Sequence, residues 1–153
     1  MSIQSRLSEL GITLPQPPRP VAAYVPAVRS GPWLFISGQV PLRDGDLVAK
    51  GPVPSQVTVE DAREAARQCA LNALAVAADA LGGDLDRVQR VVRVGVFVCC
   101  DAAFTQQPAV ANGASELLQQ VFGEAGRHCR AAVGSIALPL GATVEVEMTL
   151  EIA

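Results

Sequence analysis

The segment that decides the fold is GRHCRAAVGSIALPLGATVEVEMTLEIA, running from Gly126 to Ala153. It reads as two strands joined by a tight Leu138-Pro139-Leu140-Gly141 turn. Pro139 presets φ at about −65° in the second turn position, and Gly141 takes positive φ two residues later. The second strand alternates with period two. Val144, Val146, Met148, Leu150 and Ile152 point one way, and Thr143, Glu145, Glu147, Thr149 and Glu151 point the other. A face with three carboxylates is not buried under the chain's own helices. It is expected to be solvated or set against a basic partner, and the nearest basic side chain in sequence is Arg130.

Upstream, residues 88–99 form a strand that is apolar on both faces. Val92, Val94, Val96 and Val98 make one face, and Val91, Arg93, Gly95 and Phe97 the other, a pattern expected of a strand covered twice. Two helices flank it. The first is announced by Thr58 as N-cap with Glu60 and Asp61 in its first turn, and it runs to Leu81 before Gly82-Gly83. Ala62, Ala65, Ala66, Cys69, Ala73, Ala77 and Ala80 recur at helical steps, so one stripe is small enough to lie close on a sheet. The second spans residues 108–122, with Leu117, Leu118, Val121 and Phe122 inward and Gly123 as its stop.

Nearer the N-terminus, residues 22–28 and 33–40 read as a hairpin turning through Arg29-Ser30-Gly31-Pro32, followed by a loop with a short strand at Leu47-Val48-Ala49. Residues 2–10 suit a short helix stopped by Gly11. The stretch from Thr13 to Pro20, with Pro15, Pro17, Pro18 and Pro20, reads as an extended arm. The order is ββ(β)αβαββ, an α+β domain spanning 1–153. Its two long helices cover one face of the sheet, so a second copy of the chain is expected on the other.

Composition narrows the function. The chain has 153 residues and a net charge of −3, with 15 acids against 12 bases, so no basic footprint for nucleic acid is expected. No apolar run reaches the ~20 residues of a membrane helix, and the first residues lack the features of a signal peptide, so a cytoplasmic protein is expected. Cys69, Cys99, Cys100 and Cys129 lack metal-type spacing and read as reduced thiols, mostly packing. With a single histidine, His128, no metal site is expected, and no glycine-rich phosphate cradle is present.

The segment from Arg130 to Glu147, with its arginine, Leu-Pro turn and Val-Glu-Val-Glu strand, resembles the RidA/YjgF family of small trimeric proteins. So does Phe35-Ile36-Ser37-Gly38-Gln39-Val40-Pro41; the likeness covers residues 24–153. It implies a chorismate-mutase-like homotrimer with clefts between subunits. The best-understood members hydrolyse 2-imino acids to 2-keto acids and ammonia without a cofactor. Arg130 then falls on the arginine that grips the substrate carboxylate, and a planar guanidinium fork suits that task. Glu145 falls on the glutamate that helps position or deprotonate water. Tyr24, Ser37 and Asn112 fall on cleft-lining positions.

The residues alone leave other readings open. Arg130 also suits an ion pair with Glu145 or Glu147 across strands, and Tyr24, Ser37 and Asn112 suit packing or turn roles. His128, two residues before Arg130, is either a hydrogen-bonded structural group or a participant. The family's cysteine two positions after the arginine is Ala132 here, and Cys129 points to the opposite face. A non-catalytic binder of a small carboxylic acid is therefore the alternative to an imine deaminase.

Overall fold

The computed structural model describes residues 1–19 and 23–153. Its elements in order are α1 (Ile3–Glu9), β1 (Ala27–Ser30), β2 (Trp33–Gln39), β3 (Leu42–Arg43), β4 (Asp46–Leu47), α2 (Val59–Ala80), β5 (Val88–Cys99), α3 (Gln107–Phe122), β6 (Cys129–Ser135) and β7 (Val144–Ile152). Five strands form one mixed sheet in the order β1-β2-β7-β5-β6, and β3 and β4 make a separate small hairpin. This is the expected α+β architecture. The pairing within it differs from the sequence reading at its central point.

β6 and β7 are not a hairpin, because β5 lies between them. β5, α3 and β6 form a crossover unit whose two strands are parallel, with Val94 opposite Arg130 and Phe97 opposite Val133. β7 then returns antiparallel on the other side of β5, with Val94 opposite Met148 and Phe97 opposite Glu145. The Leu-Pro-Leu-Gly element is real, a short 3-10 turn with Leu140 at φ 60° and Gly141 at φ 75°. It sits inside a longer connection, residues 136–143. That stretch is long enough to step across one intervening strand, since two strand spacings are only about 10 Å.

α2 is capped as read, Thr58 accepting from the Asp61 amide at 3.1 Å. Ala62, Ala65, Ala66, Cys69, Ala73 and Ala77 are fully buried against β2 and β7, whereas Ala80 is exposed beyond the end of the stripe. α3 packs on β5, β6 and α2. At Gly113 the two helices approach closely. A Cβ there would fall on the carbonyl oxygen of Arg63.

Three register shifts interrupt the alternation, one of them in β5 between Val88 and Arg90, and the other two decide which side chains face where. In β5 the register slips between Val91 and Arg93, so Val91 joins Val94, Val96 and Val98 in the core and Val92 does not. An added residue at a bulge inverts the alternation that period two alone predicts. In β2 the register slips between Ile36 and Gln39, which places the bulge at Ser37-Gly38.

The hairpin of β1 and β2 is shorter than expected. Its turn is Gly31-Pro32 alone, with Ser30 paired to Trp33, and residues 23–26 precede the strand. Ala22, read as the strand's start, and Pro20 of the arm lie outside the described residues. Leu47 pairs back on Leu42, so the third strand is half of a small hairpin rather than a strand at 47–49. Its loop is pinned from α2: Asn72 donates to the carbonyls of Val40 and Leu42, both at 3.0 Å, and Gln68 donates to Asn72.

α1 begins at an N-cap Ser2 and packs on α3, where Arg6 donates to the carbonyl of Gln120 at 2.8 Å. Leu14, Pro15 and Pro17 lie against the end of α2. The arm's first part thus braces the helix layer.

Among the described residues, no helix covers the opposite face of the sheet. Trp33, Phe35, Val28 and Val133 are exposed there, beside the carboxylates of β7. Among the described residues, no helix is long and apolar enough to cross a membrane.

Replacing Gly113 by Ala should force α2 and α3 apart and cost about 1–3 kcal/mol, read as a lowered urea midpoint. An unchanged midpoint would mean that the two helices are not in fixed contact.

Candidate active site

The sequence-predicted residues fall into two groups on opposite faces of the sheet. Arg130, on the edge strand β6, shares its face with Val94 and reaches α3. Glu145, on β7, shares its face with Phe97 and stands on the uncovered side. β5 separates the two strands, so the alternative reading of Arg130, a cross-strand ion pair with Glu145 or Glu147, is not met among the described residues. Glu147 pairs with Arg93 instead, at 3.6 Å.

Arg130 is half-buried and held by neutral groups. Its Nη1 donates to Asn112 Oδ1 at 2.8 Å and to Ser115 Oγ at 3.0 Å; Nη2 reaches the Pro108 carbonyl at 3.5 Å. Asn112 and Ser115 sit one helical turn apart on α3, which is why both meet one guanidinium. Asn112 therefore holds the arginine from within a helix and not a loop.

Ser115 is a residue that the sequence reading does not reach. Its signal was present: Asn112, Ser115, Glu116 and Gln119 recur at steps of three and four as a polar stripe on an otherwise apolar helix. His128 belongs to the same group. Its Nδ1 donates to the Gly126 carbonyl at 2.7 Å, and Nε2 meets Ser115 Oγ at 2.9 Å. Burial, aided by the Arg130 charge, pulls the His128 pKa below its ordinary value against the opposing Gly126 bond. Asn112, Ser115, Glu116, Gln119, His128 and Arg130 line an open pocket of about 340 Å³.

The second group gathers at the β2 bulge. Glu145 lies over Gly38, where a Cβ would fall on its carboxylate; this is the physical reason for glycine in the Ser-Gly-Gln segment. Burial, then the neighbouring Glu147 charge, raises the Glu145 pKa above the ordinary glutamate value. Gly95 similarly leaves room for Glu147, whose Oε1 would be 2.8 Å from a Cβ there. Ser37 spends its hydroxyl on the Val25 carbonyl at 2.8 Å and its amide on the Pro26 carbonyl, fastening the segment that leads into β1. Tyr24 is 53% exposed in the segment just before β1 and lies at the far edge of the sheet from Arg130. One chain thus brings Arg130 and Asn112 together, and Ser37 near Glu145, but does not join the two pairs.

The cysteines are free. Cys69 and Cys99 are buried, and burial raises both thiol pKa values. Cys129 is exposed, with its thiol 3.2 Å from the Val92 carbonyl, so it is not the packing residue expected. Ala132 is partly buried against the core on the Arg130 side. Among the described residues, no group of three or more His, Cys, Asp or Glu side chains could hold a metal ion.

The family model that matches residues 4–152 is that of the YjgF/chorismate-mutase-like proteins, which also bears the name endoribonuclease. The chain belongs to the RidA/YjgF family. It is 46% identical over 151 residues to protein TCP17 of Trypanosoma cruzi, covering 98% of this chain and 94% of that one. It is 30% identical over 138 residues to a 2-iminobutanoate/2-iminopropanoate deaminase of Dermatophagoides farinae, covering 89% and 91%. The crystal structure of Atu1372 from Agrobacterium tumefaciens superposes with a TM-score of 0.92 at 45% identity, covering 99% and 92%. The family match and the likenesses to TCP17 and Atu1372 extend over the N-terminal arm as well as the sheet.

The raised Glu145 pKa has a consequence for stability. A carboxyl whose folded pKa lies above its unfolded value favours the folded state while protonated, and that advantage is lost as pH rises through the folded value. Glu145→Gln, which cannot ionise, should therefore raise the urea midpoint at neutral pH. The gain should vanish at pH values below the ordinary glutamate pKa. A gain independent of pH would assign the effect to packing.

Proposed function

We propose that this single-domain chain forms a homotrimer that hydrolyses small 2-imino acids to 2-keto acids and ammonia, in the cytoplasm and without a cofactor, in clefts between subunits. The observation that carries this reading is the placement of Arg130 and Glu145 on opposite faces of one sheet. Both are half-buried and both open outward, so they meet only if the β6 edge of one copy abuts the uncovered face of another. The exposed Trp33, Phe35 and Val133 on that face are suited to burial against a second copy. The 30% identity to an imine deaminase supports the reaction class.

In this cleft Arg130 holds the substrate carboxylate. Water adds to C2 of the imine and the tetrahedral adduct expels ammonia. Glu145, with its raised pKa, accepts the proton of the attacking water and returns it to the departing nitrogen. Imine hydrolysis is intrinsically easy, so orientation and charge stabilisation are enough to accelerate it. Ser37, at the bulge beside Glu145, and Tyr24, in the segment that Ser37 fastens, then line the far wall.

A second reading, binding of a small carboxylic acid without turnover, is favoured by Ala132, which offers no polar group beside Arg130.

Imines generated in situ from several amino acids by an amino-acid oxidase should release ammonia faster with the protein present, and Arg130→Ala should abolish the acceleration. Sedimentation equilibrium should give about three times the 15.9 kDa chain mass. A monomer at micromolar concentration would remove the cleft. No acceleration, with Arg130-dependent binding of pyruvate, would leave the binder.

A further inference from the structure

We infer that Ser115 and His128 are positioning residues that hold one corner of the Arg130 guanidinium and thereby select the edge offered to a carboxylate. This rests on the reading of Arg130 as the carboxylate-holding residue.

A backbone carbonyl only accepts, so the 2.7 Å contact between His128 Nδ1 and Gly126 O makes Nδ1 the donor. In the neutral imidazole Nε2 is then an acceptor, and the 2.9 Å contact with Ser115 must be the hydroxyl donating to it. The Ser115 oxygen, its proton committed, accepts from Arg130 Nη1 at 3.0 Å. The chain has a single direction, from Arg130 through Ser115 and His128 to the Gly126 carbonyl.

Both Nη1 protons are used, one on Ser115 and one on Asn112. A guanidinium has five N–H donors, and the only other bond of Arg130 among the described residues is the 3.5 Å contact of Nη2 with Pro108. What remains is the side edge formed by Nε and Nη2. That edge presents two parallel N–H groups, the arrangement a carboxylate takes bidentately.

No anionic side chain enters this chain of bonds. Glu116, the carboxylate nearest in the pocket lining, is paired to Arg63. The arginine is thus oriented by neutral acceptors, which fix its geometry while leaving its charge for a ligand. Ser115 is 6% exposed, so its hydroxyl is not itself a surface contact for ligand.

His128 is the only histidine, so its imidazole nitrogens give the sole signals of their kind in ¹⁵N-labelled protein. The spectrum should report the Nδ1–H tautomer. Saturation with pyruvate should shift the Nε2 resonance through Ser115, and in Ser115→Ala that shift should disappear even at saturating pyruvate. Ser115→Ala and His128→Ala should each weaken pyruvate binding by about tenfold, and Ser115→Thr, which keeps the hydroxyl, should recover most of the loss. The Nε2–H tautomer, or a pyruvate-induced shift that survives Ser115→Ala, would overturn the inference, because the chain would run backwards or His128 would touch the ligand itself. If pyruvate binding depends on Arg130 but ignores Ser115 and His128, the positioning role alone is wrong. If wild-type protein binds no pyruvate, the reading of Arg130 fails and takes this inference with it.

Discussion

The contact between the alanine stripe of α2 and the aliphatic face of β2 and β7 is the constraint on which the remaining geometry depends. Ala62, Ala65, Ala66, Cys69, Ala73 and Ala77 leave no exposed surface, so the helix sits directly on β2 and β7, with the Cys69 thiol against the Val144 carbonyl. A larger side chain anywhere along that stripe would lift the helix, and interiors close-packed to crystal density do not absorb such a displacement cheaply. α3 is then placed by two contacts, the sheet below and Gly113 against the Arg63 carbonyl beside it. Its polar stripe is thereby delivered to the exposed side of β6, where Arg130 emerges.

The two faces of the sheet do different work. The helix face is apolar except at the β6 edge, where α3 leaves enough width for the pocket containing Arg130. The other face mixes exposed aromatics with a row of carboxylates, and the carboxylates fit because glycines oppose them. Gly38 and Gly95 underlie Glu145 and Glu147. A side chain at either position would push its carboxylate off the sheet, and at Gly38 it would remove the partial burial that raises the Glu145 pKa. The glycines therefore act on electrostatics through space, not through backbone freedom.

Neither cluster contains a buried polar side-chain atom without a hydrogen-bond partner among the described residues. Around Arg130 this is achieved by a directed series of donors and acceptors, and around the β3–β4 loop by Gln68 and Asn72 on α2. Both networks start from helix residues that a hydrophobicity pattern counts as interruptions. Each has a partner supplied by a segment distant in sequence.

Read locally, the sequence determined the long elements. A capped helix from Thr58 to the glycines at 82–83, a valine strand over residues 88–99, a second helix ending at Gly123 and an alternating last strand all follow from periodicity and termini. The likeness to the RidA/YjgF family was legible because its motifs are contiguous. What tertiary structure alone decided was pairing and facing. Nothing within residues 126–153 says that a strand from thirty residues earlier inserts between its two halves, since strand neighbours are chosen by the packing of whole layers and a β5–α3–β6 crossover consumes the edge. The bulge at Val92 exchanged which valines were core, because one added residue inverts every side chain after it. The role of Ser115 was hidden for the same reason: a hydroxyl on a helix has no meaning until the turn that carries His128 and the strand that carries Arg130 are brought against it.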